Sequence, residues 1–204
     1  MAEEQPQIYL ITPQTFELSS FSSDLARLLD SFEIACVRLR AGEDAGEIGR
    51  NADALRGICH DRDVPLVLET HAGLAAHHGL DGVHLLDGAR NVAAARKELP
   101  EDGIVGAFCE DSRHMGLSAG EAGADYVAFG PAAAEALATN DPVDAETLSW
   151  WSQMIELPVV VEGGLTPDLA QTLAPMVDFL ALGPEVWSHG AGPDAALKAV
   201  IERF

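Results

Sequence analysis

Eight short runs of apolar, β-favouring residues recur along the chain: IYLIT from position 8, ACVRLR from 35, PLVLE from 65, GVHLL from 82, IVGAFC from 104, DYVAFG from 125, PVVVEGG from 158 and DFLALG from 178. Each has the length of one strand, and most are apolar at consecutive positions, as in strands covered on both faces. Between them the apolar spacing changes to that of helices. Leu25, Leu28, Leu29 and Phe32 follow Ser22 and Ser23, which are placed to cap, and Leu148, Trp151 and Ile155 follow Asp144. In LTPDLAQTL, Thr166 is an N-cap and Pro167 takes the first helical position, while Leu197, Val200, Ile201 and Phe204 stripe a last helix.

Eight strand-helix units predict an α/β fold: a (β/α)8 TIM barrel of eight parallel strands, one domain spanning residues 1–204. An open doubly wound sheet is the alternative. It lacks its dinucleotide fingerprint, since Pro13 and Gln14 stand where GxGxxG would begin. The most irregular segment, PAAAEALATND at 131–141, follows the sixth strand and suits an active-site lid.

Composition narrows the partners. Twelve Lys and Arg against 33 Asp and Glu give a formal charge of -21, a field that repels phosphodiester backbones and anionic lipid head groups. Nucleic acid and membrane surfaces are excluded as expected partners. The acidic start and the lack of a long apolar segment point to a soluble, unexported, cytoplasmic protein. Cys36, Cys59 and Cys109 fit no metal or CxxC spacing and read as reduced core thiols.

Chemistry in such a barrel sits at the C-terminal strand ends, and a phosphate commonly sits at the loops after strands seven and eight. Gly163 and Gly164 follow strand seven and Gly183 follows strand eight, so their backbone N–H groups are the candidate phosphate cradle. Two neighbours act against it: Glu185 brings a carboxylate to the same turn, and Pro184 has no N–H. On strand two, Arg38 and Arg40 stand two apart and should project to one side, into the barrel. Buried guanidiniums need partners, and Glu69, Glu110 and Glu162 at other strand ends can supply them, with Glu69 the nearest in strand order. The competing reading leaves Arg40 holding a ligand phosphate and Arg38 packed at the rim.

The order of YLIT, VRLR, PLVLE, GVHL, GADYVAFGP and PVVVEGGLTPD resembles thiamine phosphate synthase and its thiazole tautomerase relatives over nearly the whole chain, most specifically in GVH and GADYVAFGP. The resemblance implies a (β/α)8 barrel that joins a pyrimidine diphosphate to a thiazole phosphate, releasing pyrophosphate, with Mg²⁺ as cofactor. It also implies a phosphorylated small molecule as partner, thiamine biosynthesis as context and transferase chemistry. Several family positions differ. Gln-x-Arg-x-Lys on strand two reads Arg38, Arg40 and Gly42 here, and the Asn-Asp pair after strand three reads Glu69 and Thr70. The second magnesium carboxylate falls near Gly88, with Asp87 one place off, and the Ser after strand five falls at Phe108. The Thr and Lys of the next loop fall at Glu135 and near Ala138, and the tautomerase His falls at Pro131. The pattern predicts inefficient synthase chemistry and weak magnesium binding, with Asp87 and Glu110 the metal candidates.

Arg38, Arg40, Glu69 and His84 are the catalytic candidates, although His84, inside strand four, also suits a hydrogen-bonded core histidine. Of His71, His77 and His78, only His71 is near a strand tip, and the other two are expected in solvent; Asp87, Asp111 and His114 form a weaker set. Two alternatives accompany the enzyme: a non-catalytic ligand-binding or scaffolding barrel, and another phosphate-binding isomerase or epimerase barrel. Barrels of this size also pair through outer helices, so a homo-oligomer is possible.

Overall fold

The computed structural model describes residues 5–40, 42, 44–133 and 142–204. Most of the 131–141 segment, with Glu135 and Ala138, lies outside them. Eight parallel strands close into a barrel in sequence order: β1 Gln7–Ile11, β2 Ile34–Leu39, β3 Leu66–Glu69, β4 Gly82–Leu85, β5 Ile104–Phe108, β6 Tyr126–Phe129, β7 Val159–Glu162 and β8 Phe179–Leu182. Closure is made by β1, which pairs with β2 on one side and β8 on the other. The expected barrel is therefore the fold, and all eight runs are its strands.

Period two divides each strand between two cores. Leu10, Val37, Leu39, Leu68, Val127 and Leu180 face outward and pack with the helices, while Tyr9, Ile11, Cys36, Val67, Tyr126 and Val160 fill the interior. Near the floor, a Cβ on Gly106 would lie 2.0 Å from Tyr126 Cζ, so only glycine lets that ring lie across β5.

The outer layer contains α1 Leu18–Ser31, α2 Ala45–His60, α3 Ala72–His77, α4 Val92–Glu98, α5 Arg113–Glu121, α6 Ala145–Met154 and α7 Pro167–Leu173, followed by the short α8 Pro184–Trp187 and by α9 Pro193–Ile201. Asp144 and Thr166 cap as expected, accepting from Glu146 and Leu169 N–H. Helix α1 departs from expectation. It begins at Leu18, with Ser22 and Ser23 inside it, because Phe16 packs on Phe21 (ring centroids 4.2 Å) across the N-terminus as a hydrophobic staple. Among the described residues, no helix is long and apolar enough to cross a membrane.

Candidate functional site

A cavity of about 520 Å³ opens at the C-terminal strand ends. Its walls combine Ile11, Leu86, Phe108 and Ala181 with Arg38, Arg40, Glu69, Glu162, Glu185 and the glycines 163, 164 and 183. Two guanidiniums thus face three carboxylates.

Arg38 enters because it is an inward position of β2, in register with Ile11 and Val67. Its side chain crosses the lumen to β7. Nη1 donates to Glu162 Oε2 at 2.8 Å and Nη2 donates to Oε1 at 3.2 Å, the parallel fork that suits guanidinium and carboxylate best. Both residues are buried, at 3% and 8% exposure. Burial, the largest single influence, pulls the Arg38 pKa down, but its neighbours, Glu162 first among them and Glu69 with it, together outweigh burial and the guanidinium stays charged. Arg38 Nε lies 3.6 Å from Glu69 Oε1, and Arg40 Nε lies 3.8 Å from Glu69 Oε2, so Glu69 bridges the two arginines at ion-pair rather than hydrogen-bond distance. Arg40, one residue past β2, is the more open of the two, and its N–H donates to Thr12 Oγ1 at 3.1 Å. The expected internal ion-pair network is present, with Glu162 rather than Glu69 as its closest partner.

At the β7 and β8 tips the acidic neighbour has taken the amides. Gly164 N–H donates to Glu185 Oε1 at 2.6 Å, Leu165 N–H to the same oxygen at 3.2 Å, and Gly183 N–H to Oε2 at 2.9 Å. Gly163 contributes its carbonyl, which accepts from Ala132 and Ala133 N–H at 2.8 and 3.1 Å. The participation of Leu165 was not foreseen from sequence; a residue directly following two glycines at a strand tip is the available signal.

His84 sits below the cavity and does not line it. Its Nδ1 is 2.9 Å from Tyr126 Oη, which is 2.9 Å from Tyr9 Oη, and the imidazole stacks on the Tyr126 ring. Burial, aided by the Arg38 charge, holds the His84 pKa well below its ordinary value, so the ring is neutral at neutral pH. Burial likewise raises both tyrosines. This chain of neutral groups fixes the floor under Arg38, whose guanidinium carbon lies 5.9 Å from the Tyr9 ring centroid. The two tyrosines were missed as partners, although hydroxyl-bearing rings in apolar strands signal a buried hydrogen bond.

The remaining candidates do not join this group. Asp87 accepts from Asn91 Nδ2 at 2.6 Å, and Glu110 is exposed at the β5 tip. Among the described residues, no three His, Cys, Asp or Glu side chains gather as metal ligands. The described residues therefore do not fit a magnesium ion held by protein groups alone. His71, Asp111 and His114 are exposed. His77 is exposed too, but His78, expected in solvent, is half-buried with Nδ1 2.9 Å from Asp53 Oδ1. All three cysteines are free and buried, and burial raises the Cys59 and Cys109 thiols to about 12.

Residues 8–184 match the thiamine monophosphate synthase family. A thiamine-phosphate synthase of Rhodospirillum centenum is 43% identical over 196 residues, covering 94% of each chain. One from Erythrobacter litoralis is 39% identical, covering 100% of this chain and 99% of its own. Among solved structures, a thiamine phosphate pyrophosphorylase from Pyrococcus furiosus superposes with a TM-score of 0.81 at 22% identity, covering 97% of this chain and 96% of its own, a likeness of fold. With the family model matched over residues 8–184 and relatives of 43% and 39% identity covered over nearly their whole length, the chain belongs to the thiamine phosphate synthase family.

Proposed function

We propose that this chain is a transferase of thiamine biosynthesis that binds a thiazole substrate in the mouth cavity, and that it condenses the family's phosphorylated pair slowly. Family membership supports the reaction class, and the cavity at the C-terminal strand ends is where such barrels perform chemistry. Of that phosphorylated pair, the pyrimidine diphosphate is the one assigned to Arg40, the cation at the rim.

The observation that carries the reading is the buried Arg38–Glu162 fork. Arg38 cannot turn to a leaving diphosphate without abandoning Glu162 as an unpaired buried charge. Of the two lining arginines, Arg40 is the one left to meet that developing charge. A single preorganised partner of transition-state charge is worth about 10²–10³ in rate.

The test is incubation with pyrimidine diphosphate, thiazole phosphate and Mg²⁺, detecting thiamine phosphate, with a relative that keeps Gln-x-Arg-x-Lys on strand two assayed in parallel. The expected rate is at least about 100-fold below the relative's. Equal rates would overturn the proposal, and binding with no product at all would favour the non-catalytic alternative.

A further inference from the structure

We infer that Glu185 permanently fills the anion cradle at the β7 and β8 tips, so that the cavity selects a thiazole alcohol over its phosphate ester. The inference rests on the reading of the cavity as a thiazole site and names the chemical form of that substrate.

Donors from two separate loops converge on one carboxylate. Gly164 and Leu165 N–H share Oε1, and Gly183 N–H takes Oε2, at 2.6, 3.2 and 2.9 Å. The convergence is built into the backbone: Gly163 and Gly164 have φ of 87° and 76°, values that side-chain-bearing residues rarely adopt, and these turn successive N–H groups the same way. At Gly183, a Cβ would meet Ile11 Cβ at 3.3 Å, tighter than most such contacts. The cradle is therefore shaped for an anion, and the chain supplies its own.

An arriving phosphate must expel Glu185 from all three donors and then lie beside the displaced carboxylate. It competes with a tethered rival, whose effective concentration is on the order of millimolar or higher. Compensating charge is scarce, because Arg38 is engaged by Glu162 and Arg40 stands by Glu69. A hydroxyl is in the opposite position. It can donate to a lone pair that Glu185 still has available, while the ring lies against Ile11, Phe108 and Ala181.

Condensation with such an acceptor balances without the ester. The thiazole nitrogen lone pair forms the new C–N bond, the pyrimidine methylene C–O bond breaks, and diphosphate leaves with that electron pair. The product is thiamine in place of thiamine phosphate.

Calorimetric titration of the full chain with the thiazole alcohol, the thiazole phosphate and inorganic phosphate tests this, using wild type, Glu185→Ala and Glu185→Gln, with circular dichroism to check folding. Wild type should bind the alcohol at least about tenfold more tightly than the phosphate ester, and Glu185→Ala should gain at least about tenfold for the ester and for inorganic phosphate. Glu185→Gln, which keeps the size and an oxygen acceptor but loses the charge, should gain in the same direction and decides the matter if the alanine variant does not fold. The inference is overturned if wild type binds the ester as tightly as the alcohol, or if the folded variants gain no phosphate affinity. If neither thiazole binds any of the proteins, the thiazole reading of the cavity fails, and inorganic phosphate alone still decides whether Glu185 occupies the cradle.

Discussion

Cutting Glu162 back to alanine strands the Arg38 charge inside the barrel. At 2.8 Å, Coulomb's law with an effective dielectric of about 20 gives the pair a gross attraction of about 6 kcal/mol. Desolvating two ions whose side chains are 4% and 10% exposed offsets most of it, so the intact pair is close to neutral against a well-packed apolar pair. Removing one partner is different, since it leaves the full desolvation penalty in place, typically about 3–5 kcal/mol. Glu69, 3.6 Å from Arg38 Nε, remains a partial partner, which puts Glu162→Ala near the lower end, at about 3 kcal/mol. Arg38→Met should cost a similar amount, because it leaves two carboxylates facing the lumen. The double change Arg38→Met with Glu162→Ala removes both charges and should cost no more than about 3 kcal/mol, against about 6 kcal/mol for the sum of the two single costs, a coupling of at least about 3 kcal/mol. Urea unfolding followed by tryptophan fluorescence and circular dichroism measures all four proteins. A single-variant cost below about 1 kcal/mol, or costs that simply add in the double variant, would refute the reasoning.

His84 has a folded pKa well below its ordinary value of about 6.5, so below pH 6.5 the unfolded chain takes up a proton that the native state refuses. The His84 contribution to stability should fall by up to about 1.4 kcal/mol per pH unit there and be flat above, and His84→Gln isolates it: if unfolding at pH 5 and pH 8 differs equally in wild type and variant, the assignment is wrong. Thr70 is a β-branched residue at φ 66°, exposed at the β3 tip, where a left-handed conformation costs about 1–2 kcal/mol. Thr70→Asn should therefore raise the urea midpoint by the equivalent of about 0.5–1 kcal/mol, and an unchanged or lower midpoint contradicts the strain.

The strands were legible because both faces are covered, which leaves each as a continuous apolar run between punctuating turns. The Asp144 and Thr166 caps were legible because capping is a local side-chain-to-backbone bond. The start of α1 was not, since two serines offered a local signal that Phe16 packing on Phe21 overrode. In the site, the period of two carried Arg38 inward and burial demanded a carboxylate. Which one, Glu69, Glu110 or Glu162, depended on reach across the lumen, a distance that strand order does not encode. Glu185 was seen as opposed to an anion. Its role as the occupant depends on where the amides after Gly163 point, and backbone direction at a glycine is the least constrained by sequence. His78 shows the same limit, as its partner Asp53 lies on a different helix.

The central claim, that the mouth cavity takes a thiazole alcohol beside Glu185 and a diphosphate at Arg40, is tested most directly by a crystal structure of the protein with thiazole alcohol and pyrophosphate. The account predicts the thiazole ring against Ile11 and Phe108, pyrophosphate within about 3 Å of the Arg40 guanidinium, and Glu185 still bonded to the Gly164 and Gly183 N–H groups. An anion seated on those amides with Glu185 turned away, or ligands bound outside the cavity, would contradict it.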